Sequence, residues 1–327
     1  MKKTGKIIIY AVLTLFILAG ALIGYVKLAL PDVGDPPDIK VELTPQRIEK
    51  GRYLANHVMV CIDCHSTRNW TKFSAPLDTT TIGTGGDKFD ANVGFPGEVY
   101  TPNITPYHIK DWTDGEIFRA ITAGVKKDGS PIFPIMPYTY YGKLDKEDIY
   151  SVIAYLRTLP EKKTSSPERR LDFPLNILVN TMPVKGVPQE KPSEDNTLAY
   201  GAYLVNAAAC KECHTKNEKG KLIEGMDFAG GAEFKLPGGA VYSANITPDQ
   251  ETGIGKWTTE QFVSTFKAYE DVHKLKEVNK TDFQTIMPWS MYAGMKVKDL
   301  EAIFSYLKTL KPISNRVEKF VPLASAD

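Results

Sequence analysis

The chain has 327 residues, 40 basic and 39 acidic side chains, and a formal net charge of +1. That length leaves room for two modest domains after a terminal membrane segment, each able to bury a core of its own. The balanced charge gives no reason to invoke nucleic acid or a strongly polyanionic partner.

In chain order, the first element is the run from Ile7 to Val26, which holds no charged side chain. Its length is what a helix needs to cross the hydrocarbon core of a bilayer. Lys2, Lys3 and Lys6 precede it, while Asp32, Asp35 and Asp38 follow soon after Lys27. The lysine-rich end is therefore expected to stay cytoplasmic and the rest of the chain to cross. Ala19-Gly20-Ala21 offers the competing reading of a cleaved signal peptide. Apolar sequence continues through Ile23 to Val26, where a cleaved signal has no need of it, which favours a retained anchor. No cysteine lies near this segment, which excludes a lipoprotein anchor.

A helix is predicted to open with Thr44 as N-cap and Pro45 at its first position. It leads into Cys61-Ile62-Asp63-Cys64-His65, and the same pattern recurs as Cys210-Lys211-Glu212-Cys213-His214, so all four cysteines are used. Cys-x-x-Cys-His is the attachment sequence for c-type haem: two thiols add to the porphyrin vinyl groups and the adjacent histidine reaches the iron. Zinc would need four ligands per site. A thioredoxin-type redox pair would not require a histidine after each motif and would need a βαβ pattern that is not visible around either.

The motif belongs to a longer repeat. Gly51-Arg52-Tyr53-Leu54 recurs as Gly201-Ala202-Tyr203-Leu204, Asn103-Ile104-Thr105-Pro106 as Asn245-Ile246-Thr247-Pro248, and Trp112-Thr113 as Trp257-Thr258. Ile135-Met136-Pro137 recurs as Ile286-Met287-Pro288. The order is kept, and the histidine-to-methionine separation is 71 residues in one copy (136 − 65) and 73 in the other (287 − 214). Within each copy the pattern signals helices and irregular loops with little regular sheet. Thr113-x-x-Glu116 and Thr258-x-x-Gln261 fit the capping box. The closing helices place Ile149, Val152, Ile153, Leu156 and Leu159, and Leu300, Ile303, Phe304, Leu307 and Leu310, on core faces. Each is expected to pack on the helix carrying Gly51 or Gly201, where a missing side chain permits close approach. The boundaries read as an anchor at 1–30, a linker at 31–43, a first domain at 44–160, a proline-rich linker at 161–194, a second domain at 195–311 and a tail at 312–327, each domain having a separate core.

An iron held by one histidine needs a sixth ligand or an open site. Met136 and Met287 are the candidates, because Met59, Met182, Met226, Met291 and Met295 have no counterpart in the other copy. His57, His108 and His273 also lack a counterpart and are read as satisfied or surface groups. Trp112, Trp257, Asn103 and Asn245 are candidate donors to haem propionates, with loop stabilisation as the competing role. The carbonyls of Pro96 and Pro237 are candidate acceptors from the proximal imidazoles, against a plain turn.

Both copies resemble the cytochrome c domains of the membrane-bound multihaem cytochrome subunits that serve periplasmic alcohol and gluconate dehydrogenases. The resemblance rests on Cys-x-x-Cys-His, Asn-Ile-Thr-Pro, Trp-Thr-x-x-Glu and Met-Pro, and covers nearly all of residues 44 to 311. The chain departs from that family in having two haem motifs where those subunits usually have three, and an amino-terminal anchor. The resemblance implies a mainly α fold, an N-terminal transmembrane helix followed by two tandem class I cytochrome c-type domains, with two haem c groups and their iron. Haem contacts fall to Cys61, Cys64, His65, Cys210, Cys213 and His214, and iron ligation to His65, Met136, His214 and Met287. The expected role is electron transfer, without turnover of its own, from a respiratory or dehydrogenase membrane complex to an oxidase or soluble cytochrome. The expected location is the inner membrane, single-pass, with the haem domains on the periplasmic side. The alternative is a dihaem peroxidase-type enzyme, which needs an open iron position.

Overall fold

A computed structural model describes residues 3–323; Met1 and Lys2 of the expected anchor and the last four residues of the expected tail lie outside it. The apolar run forms a single helix, Lys3–Leu28, long and apolar enough to cross a membrane. Its side chains are exposed apart from Val26, and Leu22, Ile23 and Val26 face Phe173, Pro174, Ile177 and Leu178 across an apolar groove. The chain then runs along the first copy, where the Val41 amide donates to Asp114 Oδ2 at 2.8 Å.

Each copy is built on a crossed pair of helices. The opening helix of the first, Pro45–Tyr53, starts at Thr44, whose hydroxyl accepts from the Arg47 amide. It continues as a π-helical turn, Leu54–Val58, ahead of the motif. It crosses the closing helix Lys146–Arg157, and Thr197–Ala207 crosses Val297–Leu307 in the second copy. The crossings need glycine: a Cβ on Gly51 would sit 1.8 Å from the Ser151 carbonyl oxygen, and one on Gly201 would sit 2.0 Å from that of Ala302. The stripes of the closing helices are buried as their spacing predicts, with Leu310 half-buried at the end. Burial of each large apolar side chain contributes about 1.5–3 kcal/mol. Both capping boxes form, at Thr113/Glu116 and at Thr258/Gln261.

Each copy carries a small antiparallel sheet whose central strands correspond, Gly97–Tyr100 and Gly239–Tyr242. The third strand of each comes from beyond the closing helix: Arg170–Leu171 pairs with Gly97–Glu98, and Phe320–Pro322 pairs with Gly239–Val241. The segments read from sequence as linker and tail thus begin as corresponding parts of the two repeat units. A backbone that returns to pair in this way leaves no periodic signal of its own in so few residues.

The expectation of separate cores is corrected. Buried side chains of both copies join in one apolar cluster, in which Leu54, Val58, Ile62 and Ile149 are continuous with Tyr200, Leu204, Met295 and Leu300. The contact between the copies is reciprocal. Tyr53 donates to Asp299 Oδ2 at 2.5 Å, and its counterpart Tyr203 donates to Asp148 Oδ2 at 2.6 Å. The Lys296 amide donates to the Tyr53 oxygen, and the Asp145 amide to that of Tyr203. His57 Nδ1 lies 2.8 Å from the Met291 carbonyl, and Asn206 Nδ2 donates to the Tyr140 carbonyl at 3.0 Å. Such reciprocity is the signature of a two-fold interface, here between two halves of one chain.

Gly51→Ala or Gly201→Ala is expected to force its helix crossing apart. The expected cost is about 1–3 kcal/mol or more, as for other overpacked cores. Urea unfolding of the full chain measures it, and unchanged midpoints would show that the crossings have slack.

Candidate haem sites

Each Cys-x-x-Cys-His motif forms one helical turn, Cys61–Cys64 and Cys210–Cys213, leading into its histidine. The turn is entered through a left-handed non-glycine residue in both copies, Val60 at φ 46° and Ala209 at φ 48°. That kink reverses the chain so that both sulfurs and the histidine lie on a single turn. The four cysteines are free.

His65 Nδ1 lies 2.8 Å from the carbonyl oxygen of Pro102, and His214 Nδ1 lies 2.8 Å from that of Ala244. A carbonyl can only accept, so Nδ1 carries the proton and Nε2 is left with its lone pair free. That is the tautomer a metal-bound histidine requires, with the ring oriented by its second nitrogen. The acceptors differ from the Pro96 and Pro237 carbonyls named from the sequence. Both belong instead to the residue before the Asn-Ile-Thr-Pro segment.

The same two loops explain Asn103 and Asn245. Asn103 Nδ2 donates to the Lys162 carbonyl at 2.7 Å and to Thr164 Oγ1 at 2.9 Å, and its Oδ1 accepts from the Thr105 amide and hydroxyl. Asn245 Nδ2 donates to the Ile313 carbonyl at 2.8 Å and to Thr252 Oγ1 at 3.0 Å, and its Oδ1 accepts from Thr247. With both amide protons engaged by protein oxygens, these side chains have the loop-stabilising role rather than that of propionate donors. They pin the carbonyl that orients each histidine. Trp112 is half-buried and Trp257 more exposed, and among the described residues neither indole nitrogen donates to a protein acceptor. Arg157 fixes the first tryptophan's turn by donating to the Ile109 and Trp112 carbonyls.

Met136 and Met287 are half-buried and pack on the same apolar cluster as Cys61 and Cys210. Each is drawn toward its motif by a tyrosine. The Tyr141 hydroxyl donates to the Met59 carbonyl at 2.9 Å, just ahead of Cys61, and the Tyr292 hydroxyl donates to that of Ala208 at 3.2 Å, just ahead of Cys210. Burial raises both phenols well above their ordinary pKa, so they stay protonated donors. Half-buried apolar side chains of Ile82, Ile104, Trp112 and Met136, with Ile246 and Met287 in the second copy, leave apolar surface that a porphyrin face would cover. Free Nε2 atoms, paired thiols and this rim fit haem c. Among the described residues no group of three or more His, Cys, Asp or Glu is gathered for a metal held by protein alone, so the zinc reading lacks a ligand set.

Sequence reasoning missed several neighbours. Asp63, inside the first motif, is buried against Arg68 at 3.1 Å, and Arg68 also faces Asp87 at 3.6 Å. Burial raises the carboxyl of Asp87 to about 6, against the pull of Arg68. Glu212, inside the second motif, accepts from the Tyr140 hydroxyl of the first copy at 3.0 Å. His57 serves as a contact between copies, its pKa lowered by burial, and its ring fills the space beside Gly294. His108 lies near Trp112, with ring centroids 6.3 Å apart.

No family model matches the chain. It is similar to the cytochrome c subunit of the quinone alcohol dehydrogenase of Gluconacetobacter polyoxogenes, 29% identical over 286 residues, covering 81% of this chain and 56% of that protein. The chain resembles the cytochrome c subunits of dehydrogenases. The gluconate 2-dehydrogenase cytochrome c subunit of Pantoea cypripedii is 27% identical over 282 residues, covering 80% of this chain and 59% of that one. A diheme cytochrome c-type protein of Cereibacter sphaeroides is 29% identical over 202 residues, covering 58% and 63%. The chain thus spans little more than half the length of the two dehydrogenase subunits, at 56% and 59%.

Asn103→Ala and Asn245→Ala are each expected to destabilise the protein by about 1–3 kcal/mol, because buried donors lose their acceptor. Chemical unfolding checks this. A cost near zero would mean that the loops are held by their other contacts alone.

Proposed function

We propose that the chain is a membrane-anchored dihaem electron carrier, built as two tandem class I cytochrome c-type domains within residues 44–160 and 195–311. The observation that carries this reading is the doubled motif whose histidines are both held through Nδ1, leaving Nε2 free. Cys61 and Cys64, and Cys210 and Cys213, would form the thioether attachments. His65 and His214 would ligate iron on one side, and Met136 and Met287 on the other. A bound haem c supplies one-electron exchange between ferrous and ferric iron. The protein's own part is to fix ligand identity and limit solvent access. A thioether ligand, being soft, favours the ferrous state and raises the potential. Trp112 and Trp257, whose indole N–H groups are not taken up by protein acceptors among the described residues, are proposed as propionate donors.

The relatives support a dehydrogenase or other respiratory membrane complex as donor, and an oxidase or soluble cytochrome is the acceptor this chemistry suits. The helix Lys3–Leu28 is proposed as a retained single-pass anchor in the inner membrane, with both haem domains on the periplasmic side. Two methionines at corresponding positions favour the carrier over the peroxidase-type alternative, which needs one vacant iron position.

Intact mass of the purified chain is expected to show two covalent haems, and a lower count would refute the attachment. Met136→His is expected to lower one of the two midpoint potentials by about 100 mV or more, within the range of roughly 0.8 V that axial ligands control. Redox titration paired with near-infrared spectroscopy of the oxidised protein reads both the potential and the loss of sulfur ligation. A wild-type iron found bis-histidine or five-coordinate would overturn the ligand assignment at that haem.

A further inference from the structure

The two copies differ in the loop that follows the haem histidine. Its ends correspond: the Gly83 amide donates to Ser66 Oγ, and the Phe228 amide to Thr215 Oγ1. Between these anchors the first copy advances 17 positions (83 − 66) and the second 13 (228 − 215). The longer loop crosses to the other copy. The Phe73 amide donates to the Lys276 carbonyl at 2.8 Å, and the Val278 amide to that of Thr71 at 2.9 Å. Phe73 packs against Tyr269 and Phe283, with centroids 6.1 and 5.8 Å away.

At its tip the loop grips the turn that carries Met287. Gln284 Nε2 donates to the Lys72 carbonyl at 2.9 Å, and Gln284 Oε1 accepts from the Ser74 amide at 2.7 Å. The Ser74 hydroxyl donates to the Met287 carbonyl at 2.8 Å and accepts from the Trp289 amide at 3.1 Å, so it bridges both sides of Pro288. Ser74 is 1% exposed. Its φ is +67° and that of Ala75 is +43°, two consecutive left-handed non-glycine residues that only surrounding contacts hold in place. Both methionine carbonyls accept from the amide two residues on, that of Tyr138 or Trp289, but among the described residues no side chain of the second copy bonds the Met136 carbonyl as Ser74 bonds that of Met287.

We propose that Ser74 is a positioning residue for the second haem, by which the first copy holds Met287 on the iron of the second. This rests on the reading of Met287 as axial ligand. The clamp bonds the Met287 backbone itself and so opposes departure of its thioether, whereas the contacts that the second copy makes with the first methionine's segment fall on Tyr140, four residues further on. The second site is therefore the one whose methionine is held directly by the other half of the chain.

Ser74→Gly tests this in the full, haem-loaded chain, because glycine takes φ +67° without strain while the hydroxyl is lost. Titration of the oxidised protein with imidazole is followed by near-infrared loss of the thioether signal. One iron of the two is expected to take imidazole at a ten-fold or more lower concentration than in wild type, equivalent to about 1.4 kcal/mol. That phase should vanish in the double variant with Met287→His. Gln284→Glu, which turns the amide donor into a carboxylate facing the Lys72 carbonyl, is expected to produce the same one-iron shift. If both irons shift together, or neither does while the wild type shows sulfur ligation at both, the positioning role is overturned. Absence of sulfur ligation at the second iron of the wild type would overturn the Met287 assignment and this inference with it.

Discussion

Each candidate haem site depends on a tyrosine hydroxyl that joins distant parts of the chain. Met136 lies 71 residues after His65 (136 − 65), and loop closure over such a distance must be offset by contacts at its ends. The Tyr141 and Tyr292 hydroxyls supply that contact, each donating to a backbone carbonyl just before its motif. The carbonyl terminates the opening helix, and the tyrosine sits on the short helix that follows the methionine. The bond thus fixes the methionine's segment to the turn that bears the cysteines. In each copy Gly51 or Gly201 separately lets the closing helix approach the opening one to backbone contact.

What was legible in the sequence is what is local or doubled. Thr44 before Pro45, the two capping boxes and the stripes from Ile149 and Leu300 are set by contacts within a few residues, and each formed as its pattern predicts. The Cys-x-x-Cys-His motifs stand out because they occur twice. Contacts made by backbone carbonyls were not, since a carbonyl has no identity in a sequence: Pro102 and Ala244, not Pro96 and Pro237, accept from the imidazoles. The joining of the cores was also hidden, although its residues recur. Tyr53 and Tyr203 correspond, as do Asp148 and Asp299, but recurrence suggests pairing within a copy whereas the bonds run between copies.

The two-fold relation makes the interface economical and also limits it. Where the copies keep the same residue, one sequence solution serves twice, as with the two tyrosine–aspartate pairs. Burial and the facing carboxylate raise the pKa of both Tyr53 and Tyr203, so each remains a donor. Where the copies differ, the surroundings of the sites diverge. The first motif has a partly buried cluster of two carboxylates and one guanidinium at Asp63, Arg68 and Asp87, while the second has Glu212 bonded to Tyr140. Buried charge interacts more strongly than charge in water. Two matching motifs are therefore given unequal electrostatic surroundings by side chains next to them.

In the proposed dihaem carrier, electron exchange between the centres requires that their separation and orientation be fixed, and the interface would make that a property of shared side chains. Tyr140 illustrates the economy of parts. It lies on the short helix after Met136, its carbonyl accepts from Asn206 on the opening helix of the second copy, and its hydroxyl reaches Glu212 inside the second motif. One residue therefore ties the Met136 segment of the first copy to the Cys210–Cys213 turn of the second. The loop from Trp70 to Ala75 makes the converse tie, from the first motif's own loop to the methionine turn of the second. Both ties end on segments proposed to hold iron, and the two halves share one apolar core, although the sequence writes them as two.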